Sequence, residues 1–142
     1  MYLFLDFDGV LRRLTAEPGL FEAELLDNFE AAVRTVPAVK IVITSAWRLE
    51  KSLSELRQLF SPDMAERIVG VTPESLALTA HARYKEVYSY LQSAKFMDAP
   101  WLAIDDDPGH YPEDAPLLLT DPYQGFDTTC IQRLQEIFAN SV

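Results

Sequence analysis

The sequence predicts one α/β domain, in which a mainly parallel sheet lies between two layers of helices. Two observations carry this prediction. Short apolar runs of strand length alternate along the chain with longer segments whose apolar residues recur at helical spacing. No repeat, low-complexity tract or linker interrupts this order, and 142 residues is the usual length of one domain. We therefore expect residues 1–142 to form a single three-layer sandwich with right-handed crossovers.

The first part of the chain contains a strand, a small flap and a helix. Residues 2–7 form a short apolar run that ends in carboxylates and is broken by Gly9, which predicts a buried strand. Residues 11–21 mix charged and turn-forming residues and predict a turn or flap. Residues 22–36 predict a helix that ends before Pro37. Its inward face is Leu25, Phe29, Ala32, Val33 and Val36.

The middle of the chain begins with a β-branched run, residues 39–43, which predicts a second buried strand. The polar segment that follows leads into a predicted helix that continues to Phe60 and is interrupted by Pro62. Its inward face is Leu49, Leu53, Leu56 and Phe60. Residues 68–72 are a weaker candidate for the third strand.

The last part predicts two helices and two strands. Residues 82–94 form an amphipathic helix with Tyr84, Val87, Tyr88 and Leu91 on one side. Residues 101–104 and 117–119 predict strands. The final helix begins at Asp127 or Thr128, either of which is a favourable cap.

The composition excludes several classes of protein. A chain that is 49% apolar has the composition of a globular domain and not of a disordered one. The net charge of −10 disfavours a broad nucleic-acid surface, because phosphate contacts draw on Lys and Arg. The one cysteine, Cys130, cannot form an internal disulfide. We see no signal-peptide pattern and no run near the ~18 apolar residues of a membrane span, so we expect a cytoplasmic protein.

Two acidic pairs follow predicted strands. Asp6 and Asp8 follow the first strand, and Asp105 and Asp106 follow the fourth. Because sites in parallel sheets form at the carboxyl ends of the strands, we expect the pairs to converge. Carboxylates at close range repel unless a cation joins them, and a set of oxygen ligands suits Mg²⁺. We expect Mg²⁺ to be bound by Asp6, the backbone carbonyl of Asp8, and one of Asp105 and Asp106.

A carboxylate in such a site can also act as a nucleophile and form an aspartyl-phosphate. Asp6 is the better placed of the first pair, because the sheet would hold its backbone. Asp8 points to the same side of an extended chain, so we predict that it protonates the leaving oxygen and later activates water.

The transferred phosphoryl group needs hydrogen-bond donors and positive charge. Either Thr44 or Ser45, after the second strand, would donate, and either Arg83 or Lys85, early in the next-to-last helix, would supply the charge. Taken singly, such residues are more often helix caps or surface side chains. Taken together, these residues indicate a phosphoryl-transfer site, because they occur along the chain in a fixed order: an acidic pair, a hydroxyl residue, a cation and a second acidic pair.

With these residues the sequence resembles the haloacid dehalogenase (HAD) superfamily of phosphohydrolases. Residues 6–10, Asp-Phe-Asp-Gly-Val, match its first motif together with the apolar lead-in. Thr44 matches the second motif and Arg83 the third. The acidic pair at 105–106 matches the fourth, and the order and spacing cover nearly the whole chain.

The resemblance implies a Rossmann-like fold, Asp6 as nucleophile, Asp8 as acid/base and Mg²⁺ as cofactor. A narrower set of segments is similar to the small HAD domains associated with Swiss Army knife RNA-repair proteins. These segments are residues 44–48, 71–73, 83–87 and 101–106. The narrower resemblance implies a phosphatase that acts on polynucleotide ends.

The intervals between the motifs are short. Many members of the superfamily carry a cap domain in one of two places, but here residues 9–44 and 45–83 hold only a flap, two helices and a strand. We therefore expect no cap domain and an open site. Such a site admits a phosphate carried by a large partner, such as a nucleic-acid end or a phosphoprotein.

Four residues near the predicted site are open to two interpretations. Trp47 either stacks on a base of the substrate or packs under the next helix. Arg48, with Arg12 and Arg13, either surrounds the opening and attracts a phosphate or forms part of an ordinary surface.

Three functions are compatible with these residues. The leading hypothesis is a Mg²⁺-dependent phosphomonoester hydrolase. The alternatives are a phosphate- or nucleic-acid-binding module with little turnover, and a phosphotransferase whose acceptor is not water. The two acidic pairs favour an enzyme, because a binding module does not need Asp8 as acid/base. The sequence selects no particular phosphorylated substrate.

Overall fold

The computed structural model of the chain describes residues 1–75 and 80–140. Within these residues, five strands form one sheet, every neighbouring pair is parallel, and the order is β3-β2-β1-β4-β5. The strands are β1 (Tyr2–Leu5), β2 (Lys40–Ile43), β3 (Ile68–Val71), β4 (Trp101–Asp105) and β5 (Leu117–Leu119). The predicted α/β class is confirmed, and the first strand lies at the centre of the sheet.

Five α-helices occur in the described part of the chain. They are α1 (Ala23–Arg34), α2 (Leu53–Arg57), α3 (Pro62–Ala65), α4 (Ala82–Ser93) and α5 (Thr128–Asn140). Two short 3₁₀ turns follow β2 and β4, at Ala46–Leu49 and Pro108–His110. None of the helices in residues 1–75 and 80–140 has both the length and the hydropathy needed to cross a bilayer.

The core has two parts, one on each face of the sheet, because side chains alternate along a strand. Leu3 and Leu5 belong to the larger cluster, which buries the apolar faces of α1, α2, α3 and α5. Tyr2 and Phe4 point to the other face and pack with Val87 of α4. Full burial of the central strand explains its continuous apolar sequence.

One predicted helix is wrong in its bounds. The sequence predicts a helix from Leu49 to Phe60, but Leu49 is the last residue of a 3₁₀ turn, and α2 begins only at Leu53 and ends at Arg57. The side chain of Ser52 accepts from the amide of Glu55, and Glu55 accepts from the amide of Ser52, so this capping box sets the start of α2. Leu49, predicted to face inward, is 52% exposed.

Pro62, which the sequence predicts only as an interruption after the second helix, also begins a new helix, because it occupies the first turn of α3. This is the position in a helix where the missing amide hydrogen of proline has no consequence.

Candidate active site

The register of the sheet brings three predicted site residues into one row. Leu5 of the central strand pairs with Ile43 on one side and Ile104 on the other. The next residues along these strands are Asp6, Thr44 and Asp105. The ladder continues past the strands, because the amide of Asp6 donates to Ile104 at 3.1 Å and the amide of Thr44 donates to Leu5 at 2.9 Å.

Three carboxylates form a cluster at this edge. One oxygen from each of Asp6, Asp105 and Asp106 lies within 4.8 Å of the others. Asp6 and Asp105 are buried, and Asp106 is half-buried. The strands therefore concentrate three like charges in a small volume with little access to water.

The electrostatics of the cluster indicate that it is built for a cation. Burial, and then the charges of Asp105 and Asp106, raise the pKa of Asp6 well above its usual value. Burial and the charge of Asp105 raise the pKa of Asp106 to about 6. Three carboxylates in this state are stabilised by a divalent ion, and their oxygen atoms are the ligands that a hard ion prefers. The residues present thus fit a divalent metal.

Gly9 permits the approach of Asp106 to the loop after β1. Its backbone has φ +80°, and a β-carbon there would lie 2.1 Å from Oδ2 of Asp106. The carbonyl of Gly9 also accepts from the hydroxyl of Thr120 at 2.8 Å, which ties the loop to the end of β5. The glycine of the first motif is therefore required for space as well as for backbone conformation.

Replacing Gly9 by alanine should displace Asp106 and weaken divalent-cation binding by about tenfold or more, with a stability loss of about 1–2 kcal/mol from the left-handed backbone. Gly19→Ala is the matched control, because Gly19 has φ +84° but nothing within 4 Å of its β-carbon position. Calorimetric titration with the cation measures the difference. Equal affinities in the two variants would contradict the assigned role.

Asp105 is held by two donors that the sequence does not reveal. Its Oδ1 accepts from the amide of Asp107 at 2.9 Å, and its Oδ2 lies 3.0 Å from Nδ1 of His110. The ionised neighbours raise the pKa of His110. His110 belongs to the 3₁₀ turn after β4, and a lone histidine in a turn-forming segment carries no pattern that predicts this contact.

The carboxylate of Asp8 does not join the acidic cluster. One oxygen accepts from Nε of Arg12 at 3.0 Å, the other accepts from Nε1 of Trp47 at 3.2 Å, and the side chain is 41% exposed. Asp8 was predicted as a metal ligand through its backbone carbonyl, and that remains a prediction. The assignment of this carboxylate as acid/base also stays a prediction.

The structure distinguishes between Thr44 and Ser45. Oγ of Ser45 accepts from the amide of Trp47 at 3.3 Å and caps the 3₁₀ turn, which is a structural role. Oγ1 of Thr44 is buried and has no hydrogen-bond partner among the described residues. A buried hydroxyl without a partner is unfavourable unless a ligand completes it, so the geometry favours Thr44 as the donor.

Arg83 and Lys85 also differ in placement. Arg83 is 18% exposed. Burial lowers its pKa, but the hydrogen bond and charge of Glu86, and then the charges of Asp6 and Asp105, raise it overall. Its Nε is buried without a partner in the described part of the chain. Lys85 is exposed on α4. These features favour Arg83 as the cation whose charge acts on the carboxylates.

Arg48 is not at the opening, where the sequence predicts that it could bind substrate. Its side chain is 1% exposed and lies 2.8 Å from Glu86, and it also donates to the carbonyls of Thr44 and Thr72, each at 2.8 Å. The predicted contact between Arg48 and substrate is therefore wrong. The guanidinium group is buried, and its N–H groups donate to Glu86 and to backbone carbonyls. Arg48 fixes the loops after β2 and β3.

Glu86 joins Arg48 to Arg83. Its Oε1 accepts from Arg83 and its Oε2 from Arg48, both at 2.8 Å, and Oε2 also accepts from the amide of Ser75. The contact between Arg83 and Glu86 could be predicted from the sequence, because residues three apart on a helix are neighbours. The contact between Arg48 and Glu86 could not, because 38 residues separate them in the chain.

The side chain of Trp47 packs against aromatic residues of the loop after β1 and of the flap, whereas the sequence predicts either stacking on a substrate base or packing under the next helix. Its ring stacks on Phe21, with centroids 5.3 Å apart, and meets Phe7 edge-on at 5.2 Å. Its half-buried indole also lines a cavity beside Asp8. Arg13, which was predicted near the opening, is paired with Glu22.

Together, these features define a class of protein: a parallel α/β domain with an acidic cluster, suited to a divalent metal, at the carboxyl end of its central strands. The model of the family described as the HAD domain in Swiss Army Knife RNA repair proteins matches residues 2–138. The chain belongs to this family, and it does so as a domain without a cap. The family suggests phosphohydrolase activity. No curated protein and no solved structure gives a significant match.

Proposed function

We propose that the protein is a Mg²⁺-dependent phosphatase that hydrolyses phosphomonoesters through an aspartyl-phosphate on Asp6. The observation that carries the proposal is the row of Asp6, Thr44 and Asp105, with Arg83 close enough for its charge to act on both carboxylates. We further propose that the protein acts in the reducing cytoplasm, in keeping with its single free cysteine, Cys130.

The reaction would proceed in two steps. An oxygen of Asp6 attacks phosphorus, the bond from phosphorus to the ester oxygen breaks, and the leaving oxygen takes a proton from Asp8. In the second step Asp8 accepts a proton from water, whose oxygen attacks the same phosphorus, and inorganic phosphate leaves as the Asp6 carboxylate is restored. Thr44 and Arg83 would bind the phosphoryl oxygens.

Asp6, Asp105 and Asp106 would hold Mg²⁺. When bound, the ion would supply positive charge against the phosphoryl oxygens and against the three carboxylates. With no cap over the site, we propose that a phosphate on a large partner, including a nucleic-acid end, can reach Asp6. The net charge of −10 supports no extended nucleic-acid surface.

One observation favours a second candidate, a phosphate- or nucleic-acid-binding module with little turnover. Both oxygens of Asp8 already have donors, Arg12 and Trp47, so the acid/base group begins in a paired state.

A substrate screen separates the two candidates. p-Nitrophenyl phosphate and oligonucleotides with a 3′- or 5′-phosphate are incubated with the protein in Mg²⁺ or in a chelator. A phosphatase releases phosphate only with Mg²⁺. Mg²⁺-dependent binding of an oligonucleotide without release of phosphate would favour the binding module and overturn the proposal.

Bound Mg²⁺ should stabilise the protein more at pH 7.5 than at pH 5. The folded-state pKa of Asp106 is raised from 3.8 to about 6, so its contribution to the stability of the metal-free protein is complete below pH 3.8 and lost as the pH rises through about 6. At pH 5 protons compete with the ion, and at pH 7.5 they do not. Melting temperatures with and without Mg²⁺ measure this, and Asp106→Asn should reduce the difference. An equal Mg²⁺ effect at both values of pH would contradict it.

A further inference from the structure

A cavity of about 320 Å³ lies beside Asp8. Its walls come from Asp8, from Arg12, Pro18 and Gly19 of the flap, and from Trp47 and Lys51 across from the flap. The volume is at the low end of the range for small-molecule sites, about 300–1,000 Å³. Among the lining residues, Asp8 is the one to which the proposed mechanism assigns a proton transfer, and it lies two residues after Asp6.

The Asp8 carboxylate has a fixed orientation at the wall of this cavity. Arg12 holds one oxygen through Nε, and Trp47 holds the other through its indole nitrogen, at 3.0 and 3.2 Å. Each carboxylate oxygen has a second lone pair, so the carboxyl group can still form a hydrogen bond to a ligand in the cavity.

The two donors are themselves fixed. Nη1 of Arg12 donates to the carbonyls of Arg13 and Ala16, both at 3.1 Å, and the Arg12 side chain is only 10% exposed. Trp47 is packed against Phe7 and Phe21. The orientation of Asp8 is therefore built into the flap and the 3₁₀ turn after β2 and does not depend on substrate.

We propose that this cavity receives the leaving group of the substrate, and that Arg12 and Trp47 are positioning residues that present Asp8 to the leaving oxygen. The inference rests on the proposed phosphatase function. If Asp8 gives a proton to the oxygen released from phosphorus, the rest of that leaving group must begin next to Asp8, and the cavity is the space found there.

The walls indicate the chemistry of the leaving group. Trp47 and Pro18 contribute an aromatic and an aliphatic ring to the lining. The charges of Arg12 and Lys51 are balanced by those of Asp8 and Glu50, which completes the lining. A small cavity with ring-bearing residues and balanced charge in its lining suits a compact, uncharged group that carries one ring. The substrate class is thus a phosphomonoester of a ring-bearing alcohol or phenol.

The first test compares leaving groups of different acidity. Phenyl phosphate needs proton donation to its leaving oxygen, whereas p-nitrophenyl phosphate needs little. A positioned acid contributes about 10²–10⁴-fold. Because Asp8 also serves the second step, which is the same for both esters, the comparison uses kcat/KM, which covers only the steps up to departure of the leaving group. Arg12→Met and Trp47→Phe should lower kcat/KM for phenyl phosphate by about 10- to 100-fold and for p-nitrophenyl phosphate by less than about threefold. Arg12→Lys, which keeps the charge, should restore part of the loss.

The controls are Trp101→Phe, in the core on the far face of the sheet, and Arg133→Met, an exposed arginine of α5. Both should leave the ratio of the two kcat/KM values unchanged. A loss of the same size for both esters in Arg12→Met and Trp47→Phe would show a merely structural role and overturn the positioning proposal.

The second test does not depend on turnover. The chain has two tryptophans, so Trp101→Phe leaves Trp47 as the single fluorescent indole. Benzylphosphonate, which cannot be hydrolysed, should change the emission of Trp47 in the presence of Mg²⁺, and methylphosphonate should not. An equal response to both compounds, or no response to either, would overturn the cavity assignment. If the native protein hydrolyses neither ester, the phosphatase proposal fails separately from the cavity assignment. The fluorescence titration still shows whether the ring of benzylphosphonate binds beside Trp47.

Discussion

Asp6→Asn should abolish phosphatase activity, with a loss on the order of 10⁴-fold or more in kcat. Asparagine has the size and shape of aspartate but its amide is not a nucleophile, so no aspartyl-phosphate can form. Asp6 also supplies one of the three carboxylate oxygens that lie within 4.8 Å of one another. The substitution therefore removes the attacking atom and weakens the metal site. Phosphate release in Mg²⁺ at saturating substrate measures the effect.

The loss of activity should occur without a loss of stability. Burial and the neighbouring carboxylates raise the pKa of Asp6, so its ionised form is unfavourable in the metal-free protein. The neutral side chain should leave metal-free Asp6→Asn at least as stable as the native chain. Asp27→Asn, on the exposed side of α1, is the matched control and should keep full activity. Full activity in Asp6→Asn would show that the nucleophile is a different group.

Glu86→Ala should lower the free energy of unfolding by about 3–5 kcal/mol, the usual result of removing one partner from a buried ion pair. Glu86 is buried and accepts from both Arg48 and Arg83. Burial lowers the pKa of Arg48, and the charge of Glu86 opposes that shift. Without the carboxylate, one arginine with a 1% exposed side chain and one with an 18% exposed side chain would lose their counter-charge.

Urea unfolding measures this prediction. Glu17→Ala is the control, because Glu17 is an exposed glutamate of the flap and such substitutions usually change stability by less than about 0.5 kcal/mol. Glu86→Gln keeps hydrogen-bonding capacity without charge, so its loss in the free energy of unfolding should lie between those of Glu86→Ala and Glu17→Ala. A loss below about 1 kcal/mol in Glu86→Ala would mean that the two arginines do not depend on Glu86.

The sheet and the main site residues could be predicted from the sequence because their signals are local. Each strand is a short apolar run. In a parallel sheet the residues that follow such runs meet at one edge. The convergence of Asp6 with Asp105 and Asp106 at the end of β4 could therefore be predicted without a structure, whereas the carboxylate of Asp8 lies apart from them. The choice of Thr44 over Ser45 required one, since it depends on which hydroxyl the backbone already uses.

Arg48 shows why the rest could not be predicted. An arginine beside a predicted site looks like a substrate ligand, and its actual partner, Glu86, lies 38 residues away. The contact of Arg12 with Asp8 could not be predicted either, because only the folded flap shows that the Arg12 side chain points to Asp8 and not to solvent. In the predicted helix from Leu49 to Phe60, Leu56 and Phe60 are buried as expected, but the capping box at Ser52 delays the start of α2 and leaves Leu49 exposed.

The central claim is that Asp6 carries the phosphoryl group during turnover, and chemical trapping tests it most directly. Borohydride reduces an acyl phosphate to an alcohol, so a phosphorylated aspartate becomes homoserine. The protein would be treated during hydrolysis of p-nitrophenyl phosphate in Mg²⁺ and mapped by peptide mass spectrometry. We predict homoserine at position 6 only, and only when substrate and Mg²⁺ are both present. Homoserine at position 8, or continued hydrolysis with no modified residue, would contradict the claim.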